Sequence, residues 1–211
     1  GADLDIARSS ADDIYAQVIS DLTDAYAKLP VSNGEFADRY AAQALLARVY
    51  LQQGNFASAL AAANDVLQNS GHSLASTFRG AFNNDSDSSE DIFAFQVTSQ
   101  DGSNVLISHY ADQPYGGRGG DIVVDTYRTL FDSSLDSRLF FFYYSSFNGG
   151  ILTGKYTNEY GNVPTIRVAE MHLIRAEANF RLGSSTGLAP LTEINALRGR
   201  SGAPALSSLS L

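Results

Sequence analysis

The chain has 211 residues, 23 acidic against 14 Lys and Arg side chains, a net charge of −9 at pH 7, and no cysteine or tryptophan. Without cysteine, disulfide scaffolds, cysteine-zinc sites, CxxC redox motifs and cysteine nucleophiles are excluded within these residues. The acidic balance argues against non-specific nucleic-acid binding, which needs a basic stripe to neutralise phosphates. No apolar run approaches the roughly 18 residues of a membrane helix, and residues 1–5 show neither the basic nor the apolar region of a signal peptide. The length suits one domain, or two small ones. Charged residues are 18% of the chain, beside 11 Tyr, 12 Phe and 18 Gly. A surface built mainly from Ser, Asn, Gln, Thr and Tyr suits neutral polar ligands such as sugars, and equally any soluble extracellular protein.

Residues 10–29 have the period of an amphipathic helix, with Ile14, Val18, Leu22, Ala25, Tyr26 and Leu29 at three- and four-residue steps. Ser9 or Ser10 supplies the N-cap, Asp12 and Asp13 favour the positive end of the dipole, and Leu29-Pro30 stops the helix. A second, alanine-rich helix is expected over 37–52 and a third over 56–68, with Gly54 between them. Together they read as a tight antiparallel hairpin of tetratricopeptide-like spacing, with Leu46, Ala47, Tyr50, Gly54, Phe56, Ala59 and Ala63 in the pattern.

The region 72–164 differs. Ile92 to Val97 reads as a buried strand, residues 98–120 have no clear period, and 115–120 must be loop. A short helix is expected within 121–131, a strand over Phe140 to Tyr144, and a turn at Gly149-Gly150. So long an excursion inside a compact domain is usually functional. A strong helix follows over 165–182, ended by Gly183, and a last helix carries Leu191, Ile194 and Leu197 with Pro190 in its first turn. The expected class is mainly α, with tetratricopeptide-like hairpins in an α-α superhelix and an irregular, partly β excursion. The expected division is a helical scaffold over 9–70, a ligand-binding excursion over 71–164, and a helical hairpin and tail over 165–211.

The chemical motifs mostly read as negatives. His72, His109 and His172 match no metal spacing, and His172 reads as a packed or capping residue. The acidic run Asp85 to Asp91 fails the EF-hand template, since Glu90 and Gln96 stand at its sixth and twelfth positions. It reads as a solvated loop, and no cofactor or metal is expected. The glycines at 116–120 lack the Lys-Ser/Thr of a phosphate loop, and there is no GxSxG elbow. The excursion's aromatics are more informative: Tyr110, Tyr115, Tyr143, Tyr144, Phe147, Tyr156 and Tyr160 mix with Asp101, Asn104, Asp112, Gln113, Arg118 and Asn148. Tyrosine rings stack on sugar faces while amides and carboxylates bind hydroxyls. The same rings also serve to pack the excursion onto the helices. The candidate ligand contacts are Tyr110, Asp112, Tyr115, Arg118 and Asn148.

Ile166-Arg167-Val168-Ala169-Glu170 through Ala176-Glu177-Ala178, then Gly183, then Asn195 to Arg198, Arg200 and Gly202, is similar to the late helical signature of the SusD/RagB family. Tyr15 to Pro30 resembles its early helix, Ala41 to Ala59 its alanine-rich hairpin, Glu90-Asp91-Ile92-Phe93 its E-x-IF strand, and Asp125 to Arg138 its D-x-Y…D-x-R stretch; Lys155-Tyr156 also fits. The resemblance implies a non-enzymatic, glycan-binding protein of a polysaccharide-utilisation system. It implies lipid anchoring on the extracellular face of the outer membrane in Bacteroidetes-type bacteria, and transfer of oligosaccharides to a SusC-like TonB-dependent transporter. The lipid-attachment cysteine is then expected outside these 211 residues, and the chain is expected to be a fragment of a longer protein. Tryptophan, frequent in the family's sugar platforms, would be replaced by tyrosine. Two other readings stand beside this one: a tetratricopeptide-like adaptor that binds protein only, and a carbohydrate-active enzyme whose paired carboxylates meet in space.

Overall fold

The computed structural model of the protein describes residues 8–100, 102–120, 125–131, 134–147 and 149–210. Helix α1 (Ala11–Lys28) starts where Ser10 accepts a hydrogen bond from the Asp13 amide, and ends at the extended Leu29. Helix α2 (Arg39–Gln52) is capped by Asp38, whose carboxylate accepts from the Tyr40 and Ala41 amides. Helix α3 (Phe56–Asn69) is capped by Asn55. Each cap satisfies an amide that the first turn leaves without a partner. Ala44, Ala47, Ala59 and Ala63 are fully buried, because small side chains let α2 and α3 approach closely. Tyr40, Val66, Ile92, Ile166, Val168, Met171 and Ile174 fill the space around them. Helix α1 buries no residue completely. It lies on the outside of α2, fixed by Tyr26, whose hydroxyl donates to Asp65 of α3 and whose carbonyl accepts from Arg39.

Helix α6 (Val168–Leu182) packs on α3 and forms a second antiparallel hairpin with α7 (Pro190–Arg200). Gly183, at φ +63°, closes α6 in a left-handed cap, and Pro190 occupies the first turn of α7. Between the helices Arg175 makes a bidentate contact with Glu193, which also binds His172 Nδ1 at 2.7 Å. Arg175 reaches Asn64 of α3 at 2.9 Å, so one guanidinium ties three helices together. His172 is thus a packed partner of a carboxylate, as its place in a helical pattern suggested.

Strand β1 (Asp91–Phe95) pairs antiparallel with β4 (Val163–Arg167), with register shifts on either side of Phe93. The helix expected from residue 165 therefore begins three residues later. Residues 163–167 are drawn into the ladder by β1, and Pro164, which has no N–H to donate, is tolerated because each strand has only one partner. Between β1 and β4 lie α4 (Val105–Tyr110), α5 (Asp125–Arg128) and the hairpin of β2 (Phe142–Tyr144) with β3 (Ile151–Thr153). The strand expected over Phe140 to Tyr144 is half 3-10 turn, at Leu139–Phe141, and half strand. The helix expected within 121–131 is observed as α5, and the expected residues 121–124 lie outside the described ones. Among the described residues the fold is mainly helical, with tetratricopeptide-like hairpins and two small antiparallel sheets.

Glu90 joins these parts. Its side chain is fully buried, with Oε1 on Arg167 at 2.7 Å and Oε2 on Arg200 at 2.5 Å. The Ala75 amide donates to Oε2, and the Glu90 carbonyl accepts from the Val168 amide. Removing one member of a buried ion network leaves the others uncompensated, at about 3–5 kcal/mol. Glu90→Gln is therefore expected to lower the unfolding free energy by about 3 kcal/mol or more in urea titration. Glu170→Gln, which breaks the Arg48 pair where both side chains are about one-third exposed, should cost about 1 kcal/mol or less. Equal losses in the two variants would contradict this ranking.

Candidate functional site

A cleft of about 380 Å3 opens where four segments of the excursion meet. The size falls within the ~300–1,000 Å3 of small-molecule sites. Phe82 and Phe141 form one wall, and with Phe78 they make a three-ring cluster at centroid spacings of 5.1–5.3 Å. Phe140 lines the cleft with two-thirds of its surface exposed, and Tyr115 with 43% exposed. Tyr143, from β2, meets Tyr115 edge-on at 5.6 Å. Arg79, Asn83, Gly154 and Thr157 complete the lining. Aromatic rings beside hydrogen-bonding groups are what a sugar needs: a face to stack on and partners for hydroxyls.

The polar groups are unequally committed. Asn83, held at φ +61°, accepts from the Thr157 and Asn158 amides and donates to the Gly154 carbonyl. Its amide therefore shapes the 154–158 turn. The Tyr143 hydroxyl accepts from the Asp112 amide at 2.9 Å, and its own proton has no acceptor among the described residues. Burial is the main reason its pKa lies above the ordinary phenol value, so it remains a donor at neutral pH. Arg79 makes a long contact to the Phe140 carbonyl and lies over the Phe141 ring at 5.7 Å.

Of the residues expected from sequence, Tyr115 lines the cleft. Tyr110 packs against Tyr156 at 5.4 Å and is outside the cleft lining. Asp112 is buried, and its carboxylate caps the 3-10 turn Gln113–Tyr115 that carries Tyr115. Arg118 is exposed and outside the lining. Asn148 lies outside the described residues. Nothing in the local pattern of Arg79, Asn83 and Thr157 separates them from ordinary loop residues, and Phe140 reads only as part of an expected strand. Tyr143 belonged to the aromatic set but not to the chosen contacts. Among the described residues no His, Asp and Glu group has the geometry of a metal site. Asp87 accepts instead from Gln96 and Asn162, and Asp91 from Ser88.

The glycine-rich stretch supports Tyr115 from behind. Gly116, at φ +83°, ends the 3-10 turn. A Cβ on Gly117 would overlap the Ala111 and Ile107 carbonyl oxygens, so the stretch is glycine for close packing of two chain segments. Outside the cleft lining, Asp136 is fully buried and accepts from Arg138 through both oxygens. Burial acts to raise its pKa, but the Arg138 hydrogen bonds and charge, with Arg198, outweigh it and hold the pKa below the ordinary value.

Residues 140–209 match the sequence model of the SusD family, which bears out the SusD/RagB resemblance. Solved structures share the fold over nearly the whole chain. Surface glycan-binding protein A from Bacteroides uniformis superposes with a TM-score of 0.80 at 19% identity, covering 97% of this chain and 53% of that one. A SusD superfamily protein from Bacteroides vulgatus gives a TM-score of 0.80 at 23% identity, covering 97% and 52%. A SusD-like carbohydrate binding protein from the same species gives 0.76 at 21%, covering 96% and 46%. The chain thus spans about half the length of these structures. No curated protein sequence is significantly similar to it.

Two outcomes follow from this geometry. Gly117→Ala is expected to lower stability by about 2 kcal/mol in urea titration; an unchanged midpoint would show that the turn relaxes freely. The depressed pKa of Asp136 implies stability that is fully present above its unfolded value, near 3.8, and lost as pH falls through the native value. Stability measured from about pH 5 down to about pH 2 should therefore fall less steeply in Asp136→Asn than in the parent. Parallel acid limbs would contradict the assignment.

Proposed function

From the SusD superfamily fold and the SusD-family sequence of residues 140–209, we propose that the protein binds glycans through the Tyr115–Tyr143–Arg79 cleft. The observation that carries this reading is the cleft itself. It presents exposed aromatic surface from Phe140 and Tyr115, with uncommitted donors beside it. Recognition is by stacking and hydrogen bonding, and no covalent step is involved. In this reading the protein is a binding component of an outer-membrane polysaccharide or oligosaccharide uptake system. It works on the extracellular face, held by a lipid anchor outside this chain, and delivers glycans to a SusC-like TonB-dependent transporter. That no helix among the described residues is long and apolar enough to cross a membrane is compatible with attachment by lipid.

A second reading, a protein-binding adaptor without sugar binding, draws support from a different place. Leu173, Ala176, Phe180 and Ile194 line an open apolar groove between α6 and α7, and Leu173 is half exposed. Such a face suits a protein contact. The two readings separate by their dependence on sugar.

Isothermal titration against a panel of oligosaccharides tests the proposal. At least one is expected to bind, and Tyr115→Ala should weaken it about three- to tenfold through lost stacking. No heat with any glycan, from protein shown to be folded by circular dichroism, would contradict the glycan reading and leave the adaptor.

A further inference from the structure

The chain carries a net charge of −9, yet among the described residues no side chain lining the cleft is acidic. The one charged group in the lining is the Arg79 guanidinium. It has no carboxylate partner among the described residues: its contacts are the Phe140 carbonyl and the Phe141 ring. Two further cations, outside the lining, stand over one ring of the aromatic wall. Arg167 lies over the Phe82 ring at 4.6 Å and Lys155 over the same ring at 5.5 Å. Arg167 is neutralised by Glu90, whereas the Lys155 ammonium has no ion-pair partner among the described residues. Burial, with the Arg167 charge, holds the Lys155 pKa below the ordinary lysine value. A buried cation beside a second one is a site whose potential a nearby anion relieves. Lys155 thus stands 5.5 Å from the centre of a ring that lines the cleft, within the ~8–10 Å Debye length at physiological salt. Glu159, beside Gly116, and Asp85, bound by Asn158, lie outside the lining, as does the buried Asp112, whose charge acts on the Tyr143 hydroxyl, whereas Arg79 contacts the Phe141 ring.

Taking the glycan reading above as its basis, we propose that the cleft selects acidic glycans, with Arg79 pairing to a sugar carboxylate or sulfate. The planar guanidinium matches either group through paired N–H donors. The aromatic wall takes the apolar face of the ring, and Lys155 adds field strength without contact. This departs from the expectation from composition, which pointed to neutral ligands. Low average charge describes the surface as a whole, whereas the described cleft lining holds one cation and no acid within an acidic chain. Elsewhere the net negative charge repels an anionic polymer, so the local field also sets where it docks.

The test compares matched probes by isothermal titration. One pair is a galacturonic acid oligosaccharide and its fully methyl-esterified form. The other is a sulfated galactan oligosaccharide and its desulfated form. At least one acidic probe is expected to bind about tenfold more tightly than its neutral counterpart. That preference should shrink as salt rises. Which pair shows it identifies the anion as carboxylate or sulfate. Arg79→Met should bring the acidic-to-neutral ratio close to one, whereas Arg118→Met, outside the lining, should leave the ratio as in the parent. Equal affinity for acidic and neutral members of both pairs, or an undiminished preference in Arg79→Met, overturns the proposal. Binding of other neutral oligosaccharides with rejection of every acidic probe overturns it while the glycan reading stands. No binding of any glycan removes both.

Discussion

A fully buried carboxylate is sustainable only where donors surround it, and the fold depends on how Glu90 meets that condition. Its partners come from three separate places: Arg167 at the end of β4, Arg200 at the end of α7, and the amide of Ala75 in the segment leaving the first hairpin. The contact therefore joins the early helices, the sheet and the late hairpin at one point. Desolvation makes such a group costly if any partner is lost, so these segments must close together. Arg167 extends the constraint to the cleft, because its guanidinium also covers Phe82. The wall of the candidate site is thus braced by the same residue that neutralises the buried acid.

The helical scaffold and the cleft obey different physics. In α2 and α3, buried alanines set a short interhelical spacing, and Arg175 fastens the second hairpin to the first through Asn64 and Glu193. The alanine contacts are repetitive and local in the chain, whereas the Arg175–Asn64 bond spans 111 positions. The cleft instead comes from turns fixed one at a time: Asn83 on the 154–158 turn, Asp112 on the turn bearing Tyr115, Gly117 against the α4 carbonyls. Each turn is built by satisfying backbone groups, which leaves aromatic faces and a guanidinium uncommitted. Those leftovers make the surface suited to binding.

Much of the scaffold is legible in the sequence, since helical periodicity is strong over 10–29 and 56–68, residues 37–52 are rich in helix-forming alanine, and the cap Ser10 and the first-turn Pro190 stand where their helices begin. The start of α6 is not, because Ile166 and Arg167 fit a helical period and only the presence of β1 across the sheet makes them strand. The ion network was visible in pieces. Glu90, Arg167 and Arg200 belong to three of the segments that carry the family resemblance, but their meeting is a tertiary fact. That convergence also explains why the resemblance says little about the ligand: these residues hold the fold. Of the site, Tyr115 was reachable as an aromatic in a glycine-rich loop. Asp112 has the composition of a ligand residue and the position of a cap. Arg79 and Thr157 lie 78 positions apart in the chain, and only the closure of the excursion places them in one lining.

The central claim is that the excursion's cleft, rather than the helical faces, is where ligand meets protein. Amide chemical-shift mapping during titration with a bound oligosaccharide tests it most directly. The account expects the largest shifts at Arg79, Asn83, Tyr115, Tyr143 and Thr157, with α1 and the α6–α7 groove nearly unmoved. Largest shifts along that groove or on α1, with the cleft silent, would contradict it.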